Sequence, residues 1–364
     1  MILLTLLLKY LIIAQIALQN FHTTLFKKLH KKIVIKLKFL SIGQNIISKL
    51  HFKLVHSRFY KRKLKKIQNN DYIIRGSIPY KFSKKILTYI INNNIETKEF
   101  IKDLEPDSKE LVKKVLDRIF YIYIHTLIDK KEVLTPIEIN MKSEIENFII
   151  SIQNEIKLPI DRYEVSVFYY DCGLKLLPPN IILSLKNKDF IDGGAFIGDS
   201  SLILERNYDP YKIYAFEPEL ENFNLLLTTI KRNKLKKVIP INKAIGEKIA
   251  IMKIKSAGGS SNISTRGKLS MEVETIDSFA SQNKLNVGLI KMDIEGFALN
   301  ALKGAEKTIK TFSPVLIISI YHNGKEFFES MSYIKNINPR YNFIIRKLNP
   351  LSSFLETTLI GWVN

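Results

Sequence analysis

Residues 188–198, Lys-Asp-Phe-Ile-Asp-Gly-Gly-Ala-Phe-Ile-Gly, restrict this chain more than any other stretch. A short apolar run ends in Asp192, meets Gly193 and Gly194, and passes Gly198 before helix-compatible residues begin at Asp199. That pattern is a buried strand, a tight turn and the opening of a helix. A second apolar run, Ile213-Tyr-Ala-Phe, ends in Glu217, 25 residues after Asp192, and Pro218 stops it so that another helix can start. In a doubly wound sheet, ligands lie outside the carboxyl ends of the strands. Glycines there let the main chain approach the ligand, and an acid on the neighbouring strand accepts from ribose hydroxyls. Asp192, Gly193, Gly194, Gly198, Glu217 and Pro218 are therefore the candidate nucleotide-binding residues.

The same alternation continues to the carboxyl end. Strands are expected at 211–216, 237–242, 287–292 and 314–320, with helices at 199–206, 219–233, 297–309 and 325–334 between them. Two closing strands are expected at 341–346 and 357–362. Repeated strand and helix alternation implies an α/β fold, a parallel sheet with helices on both faces. A loop-rich stretch around Gly258-Gly-Ser-Ser261 would lie over the ligand or serve as a plain connection. At 364 residues the chain is long enough for more than one structural unit. The expected division is a basic arm at 1–70, a mainly helical accessory region at 71–186 and a Rossmann-like domain at 187–364. In the accessory region, Asp107-Ser-Lys-Glu110 reads as a capped helix start, with Leu111, Val115, Ile119 and Ile122 on one buried face.

The formal net charge of +21 resembles a nucleic-acid signature until the basic residues are sorted. There are 46 lysines and only 10 arginines, whereas bidentate reading of bases and phosphates favours arginine. Residues 1–70 carry fifteen Lys or Arg and no acid, which leaves only +6 on the rest. The arm fits a polyanionic partner such as an acidic membrane surface, or it is a lysine-rich solvated face. Ile2–Leu18 is nearly all apolar but holds Lys9, and its flanking lysines follow the run instead of preceding it. It suits an amphipathic helix on the cytoplasmic membrane face better than a spanning segment or a secretory signal. No nucleic-acid partner is expected. Cys172, the only cysteine, excludes an internal disulfide and a cysteine-based metal centre, and suits a cytoplasmic protein.

Gly193, Ala195 and Gly198 nearly match the dinucleotide fingerprint, which leaves an NAD-dependent sugar dehydrogenase open. Tyr321 and Lys325 have the spacing of a dehydrogenase Tyr-Lys pair, but Asn323-Gly324 reads as a turn between them. Asp192 favours another cofactor. Its carboxylate would repel a pyrophosphate and attract the sulfonium and ammonium of S-adenosylmethionine. A non-catalytic module, with a membrane- or polyanion-binding arm and an empty sheet, is the third reading.

Three further matches, in order, carry a resemblance. They are Phe190-Ile-Asp-Gly-Gly-Ala-Phe-Ile-Gly-Asp-Ser200, Tyr214-Ala-Phe-Glu-Pro218, and Ile290-Lys-Met-Asp-Ile-Glu-Gly296 followed by Ala301-Leu-Lys-Gly-Ala305. From about residue 165 onward the sequence resembles the FkbM-type methyltransferases, a branch of the S-adenosylmethionine-dependent class. The resemblance implies a Rossmann-like sheet, methyl transfer to a hydroxyl, and sugars of surface glycans or glycolipids as acceptors. Asp293 and Glu295 would then sit beside the reacting methyl group, where carboxylates orient an acceptor or take its proton. Tyr321-His322 looks like the family's Tyr-His pair, and His322, the only histidine after residue 125, is the candidate general base. Relatives carry a second Glu two residues after Gly296, where this chain has Ala298; on that ground no bound metal is expected.

Overall fold

The computed structural model describes residues 72–74, 76–125, 127–255, 262–263 and 269–364. The basic arm at 1–70, with its expected amphipathic helix, and the Gly258–Ser261 loop lie outside the described residues. Strands β1 (Tyr72–Ile74) and β2 (Leu127–Asp129) form a short antiparallel pair among the amino-terminal helices. The central sheet starts with β3 (Asp189–Gly193), β4 (Lys212–Phe216) and β5 (Val238–Ile241). Four short strands follow as a separate sheet: β6 (Ala244–Ile245), β7 (Ala250–Lys255), β8 (Asn262–Ile263) and β9 (Leu269–Glu274). The chain then returns to the central sheet with β10 (Val287–Met292), β11 (Val315–Ser319), β12 (Asn342–Lys347) and β13 (Thr357–Trp362).

The central sheet has seven strands in the order β12-β13-β11-β10-β3-β4-β5. From β11 to β5 all pairings are parallel, whereas β13 runs antiparallel to both β11 and β12. The expected parallel sheet is therefore mixed. The nine-residue connection from β12 to β13 holds no crossover helix, so β13 has to return in the opposite direction. Its first residues arrive where β11 ends, and Ser319 pairs with Thr358.

Successive residues of the strands enter opposite cores, as a two-sided sheet requires. Ile191, Ile290 and Leu316 join one apolar cluster; Phe190, Leu289 and Ile317 join the other. The first cluster also takes Ile86, Ile119 and Ile122 from the accessory helices and Phe327 from helix 324–337. Helix 78–92 packs on helix 324–337, and helix 106–124 packs on β12, so the accessory region and the sheet share one core. Helix 106–124 starts two residues earlier than the sequence implies. Glu105, not Asp107, is its cap, its carboxylate accepting from the backbone N–H of Asp107 (2.9 Å) and Ser108 (2.7 Å). Pro106 then takes the first helical position, where a missing N–H leaves nothing unsatisfied. The expected helix at 297–309 is two helices, Ala298–Lys303 and Glu306–Phe312. Gly304 separates them where the chain passes against Gly246, whose carbonyl oxygen lies 2.0 Å from where a Cβ would stand.

Candidate active site

The loop after β3 is fastened to β4 by the backbone. The N–H groups of Gly194 (3.0 Å) and Ala195 (2.9 Å) both donate to the carbonyl of Phe216, and Phe196 N–H donates to Glu217 Oε2 (3.0 Å). Gly194, at φ 75°, faces the carbonyl of Asp293, 2.0 Å from where a Cβ would lie. Gly198, at φ 84°, begins helix 199–208 with Leu226 Cδ1 at 2.6 Å from its ideal Cβ. At Gly193 the neighbours are Ile245 Cδ1 and the carbonyl of Lys291. The volume that side chains would occupy belongs to protein atoms, not to a ligand. These glycines therefore allow the ends of β3 and β10 and helix 220–233 to close on one another.

Asp192 is fully buried and does not line the cavity described below. Its Oδ1 lies 2.9 Å from Lys291 Nζ, and its Oδ2 accepts from Ser200 Oγ (2.6 Å) and Ser201 Oγ (2.7 Å). Burial alone would lower the Lys291 pKa, but the carboxylates of Asp192 and Asp293 push it up. The sequence-based argument from the Asp192 charge thus needs correction, since β10 supplies its counterion. Glu217 has a different environment. Its two oxygens accept from the backbone N–H of Glu219 (2.9 Å) and Phe196, no lysine or arginine among the described residues pairs with it, and it lines the cavity with Pro218. Burial raises its pKa to about 7, against the pull of those N–H donors.

β10 ends at Met292, and Asp293 and Glu295 follow it on the cavity wall, with Glu295 at φ 52°. His322 lies beneath them, 1% exposed and off the cavity surface. Its Nε2 is 3.4 Å from Asp293 Oδ1 and 3.9 Å from Glu295 Oε2, and its Nδ1 is 3.3 Å from Glu326 Oε2. Burial works to lower the His322 pKa; the Glu326 hydrogen bond and the charges of Glu326, Asp293 and Glu295 outweigh it and raise the value to about 9. Near neutral pH His322 is an imidazolium that holds carboxylates, which is not the state of a free general base. Burial raises the Glu295 pKa while His322 lowers it. Helix 324–337 locks the arrangement. Asn323 caps it and donates to the Gly296 carbonyl (3.1 Å), and Glu326 Oε1 accepts from Ala298 N–H (2.8 Å). Tyr321 precedes that helix, so Tyr321 and Lys325 do not share a helical turn. Among the described residues no group of three His, Cys, Asp or Glu is arranged to hold a metal, and no helix is long and apolar enough to cross a membrane.

The cavity runs along the strand ends from Lys243 and Ala244, after β5, to Thr358 of β13, with about 1370 Å³ of empty space open to solvent on one side. It brings together Gly194, Glu217, Pro218, Asp293 and Glu295, and leaves Asp192, Gly193, Gly198 and His322 behind its wall. Sequence reasoning missed Glu164, Asp199 and Glu356, which also line it. Burial raises Asp199 to about 7, partly offset by Lys291, and burial together with Asp293 and Glu164 raises Glu356 to about 7. Asp199 directly follows the glycine loop, a signal that was available. Glu164 and Glu356 sit in loops without a motif. Of the three lining cations, Arg162 pairs with Glu164, Lys243 with Glu272 and Glu274, and Lys291 with Asp192.

The family model described as the methyltransferase FkbM domain matches residues 192–349. No curated protein matches the chain. The crystal structure of methyltransferase FkbM from Methylobacillus flagellatus KT is similar at 22% identity and a TM-score of 0.51, over 76% of this chain and 60% of that one. The chain thus spans less than two thirds of that protein. The precorrin 8W decarboxylase from Methanobacterium thermoautotrophicum aligns at 12% identity over 58% of this chain and 97% of its own, with a TM-score of 0.36. An rRNA methylase from Streptococcus thermophilus gives 10% identity, 56% and 99% coverage, and a TM-score of 0.33. The sheet order, with one reversed strand beside β11, and the likeness to the Methylobacillus structure make this the Rossmann-like class I methyltransferase fold. The sequence match runs from the tip of β3 through β10 and takes in Glu217, Asp293 and Glu295 of the cavity wall, so residues 192–349 match the FkbM methyltransferase domain family.

Proposed function

We propose that the chain is an S-adenosylmethionine-dependent O-methyltransferase whose acceptor is a sugar hydroxyl of a surface glycan or glycolipid. The observation that carries this reading is the acidic cavity itself, which spans the strand ends from Glu217 to Asp293 and Glu295. The residues present fit the cofactor. Glu217 keeps unused lone pairs for both ribose hydroxyls, and Asp199, a buried acid with no lysine or arginine within ion-pair distance among the described residues, suits an ammonium. When bound, the cofactor supplies an electrophilic methyl group on a positively charged sulfur. Glu217 and Asp199 would hold it with that methyl group toward the acceptor at Asp293 and Glu295, and transfer to the acceptor oxygen would leave S-adenosylhomocysteine.

The protein's part is alignment and proton removal. Asp293 or Glu295 orients the acceptor hydroxyl and takes its proton, and His322 holds both carboxylates in place as a positioning residue. The arm at 1–70 would attach the enzyme to an anionic cytoplasmic membrane surface, near lipid-linked acceptors.

Isotope transfer from methyl-labelled S-adenosylmethionine into a cell-surface glycan extract tests the reaction. Incorporation that requires Asp293 is expected. Tight NAD binding with no S-adenosylmethionine binding would overturn the proposal in favour of a dehydrogenase. Salt-sensitive co-sedimentation with anionic vesicles, lost when residues 1–70 are removed, tests the arm.

A further inference from the structure

We propose that the acceptor carries a protonated amine close to its reacting hydroxyl, and that Glu356 receives that amine. The inference rests on the methyl-transfer reading and specifies the acceptor's charge. Glu217 fixes the ribose end of the cavity at β4, and Asp293 and Glu295 at the end of β10 mark the methyl group. The space beyond, over β11 and β13, is left for the acceptor. Arg162, Glu164, Ser319, Tyr321, Glu356 and Thr358 line it.

The charges there do not cancel. Asp293 and Glu295 share His322, and Glu164 holds Arg162. Glu356 accepts from the Tyr321 hydroxyl at 3.0 Å and from Ser166, and no cation among the described residues lies within ion-pair distance of it. Hydroxyl donors solvate a carboxylate without neutralising it, and a carboxylate withdrawn from water gains most from a ligand that brings positive charge. An acceptor bearing a carboxylate or phosphate would meet Asp293, Glu295 and Glu356 together and be repelled.

Glu356 is also held in place at a conformational cost. Its φ of 63° lies in the left-handed region that side chains avoid, a strain that persists only when the surroundings impose it. Leu348 N–H donates to its carbonyl (2.9 Å), and the preceding turn is pinned. Lys347 donates to the carbonyls of Pro350 (2.9 Å) and Ser352 (2.5 Å), while Arg118 of the accessory region donates to that of Ser353 (3.0 Å). An idle surface acid would need none of this.

The test uses D-glucosamine, N-acetyl-D-glucosamine and D-glucuronic acid, one ring with a positive, neutral or negative substituent. Binding to the full chain loaded with S-adenosylhomocysteine is measured by calorimetry, and methyl transfer is followed in parallel. The amine should bind at least about tenfold more tightly than the N-acetyl sugar. Glu356→Gln should abolish that preference, Glu356→Asp should retain part of it, and S-adenosylhomocysteine affinity should stay within about twofold in both. Equal or tighter binding of the neutral or acidic sugar, binding of none, or a preference that survives Glu356→Gln would overturn the inference. Failure of the unsubstituted protein to bind S-adenosylhomocysteine would overturn the methyl-transfer reading as well, whereas cofactor binding without amine preference would overturn the acceptor inference alone.

Discussion

The tips of β3 and β4 look alike in the sequence and differ in the fold. Each strand is apolar, and each bears an acid at or just past its carboxyl end, Asp192 or Glu217. Asp192 is 0% exposed, with a lysine at 2.9 Å and two serine hydroxyls on its second oxygen. Glu217 is 6% exposed, accepts from two backbone N–H groups and the neutral Asn222 side chain, and faces the cavity. An acid with a counterion from its own sheet holds the sheet together. An acid left without one is available for a cationic or hydroxyl-bearing ligand. Lys291→Met should show the difference most strongly, because it strands a buried charge. The expected loss in urea unfolding is about 3–5 kcal/mol. Asp192→Asn in the same chain should restore much of it, since the two residues act as one unit. A cost below about 1 kcal/mol would place Asp192 among the ligand-facing acids after all.

The acceptor end should respond in turnover instead of stability. Asp293→Asn keeps the shape and removes the proton acceptor, and a drop in kcat of about a hundredfold is expected with little change in unfolding. If Glu295→Gln gives the larger loss, the proton goes to Glu295 and Asp293 is the orienting partner. Glu217→Gln sharpens the comparison of the two strand tips. It should weaken S-adenosylmethionine binding by about ten- to a hundredfold, the usual range for hydrogen bonds to a charged group, and leave the urea midpoint nearly unchanged. Asp192→Asn should do the opposite. Equal effects of both substitutions on cofactor affinity would erase the distinction.

The end of the cavity at β3 and β4 was legible in the sequence because local rules build it. Gly194, Gly198, Glu217 and Pro218 fall within two strand–turn–helix units, where spacing alone fixes neighbours. The reason for the glycines was not legible, because the atoms they make room for, the Asp293 carbonyl and Leu226, lie 99 and 28 residues away in sequence. Nor was the partner of Asp192, since Lys291 reaches it only by the pairing of β3 with β10. His322 was legible as a residue, but its charge state was not. A protonated state near neutral pH depends on Glu326 one helical turn onward and on Asp293 and Glu295 from the loop after β10. Glu356 was missed for a topological reason. Only the reversed direction of β13 brings the residue before it to the ends of the parallel strands.

Proton linkage separates the two kinds of acid with the smallest effect, one whose sign is fixed. Burial raises both Asp199 and Glu217 to about 7 in the folded chain, so between their ordinary values near 4 and about 7 the folded state holds protons that the unfolded state has released. Their contribution therefore favours folding below about 4, fades as pH rises through that window, and is flat above about 7. His322, raised to about 9, contributes stability fully below its ordinary 6.5 and loses it between about 6.5 and 9. A cationic cofactor favours the ionised carboxylates, so its binding near pH 7 should release protons and its affinity should increase from pH 6 to 8. Calorimetry in two buffers of different ionisation enthalpy reads that release directly. Glu217→Gln should reduce it, whereas Asp192→Asn should not, because the ion pair with Lys291 keeps that acid out of reach of the ligand. A release unchanged by Glu217→Gln would mean that Glu217 does not sense the cofactor's charge, and would remove the contrast between the two strand tips.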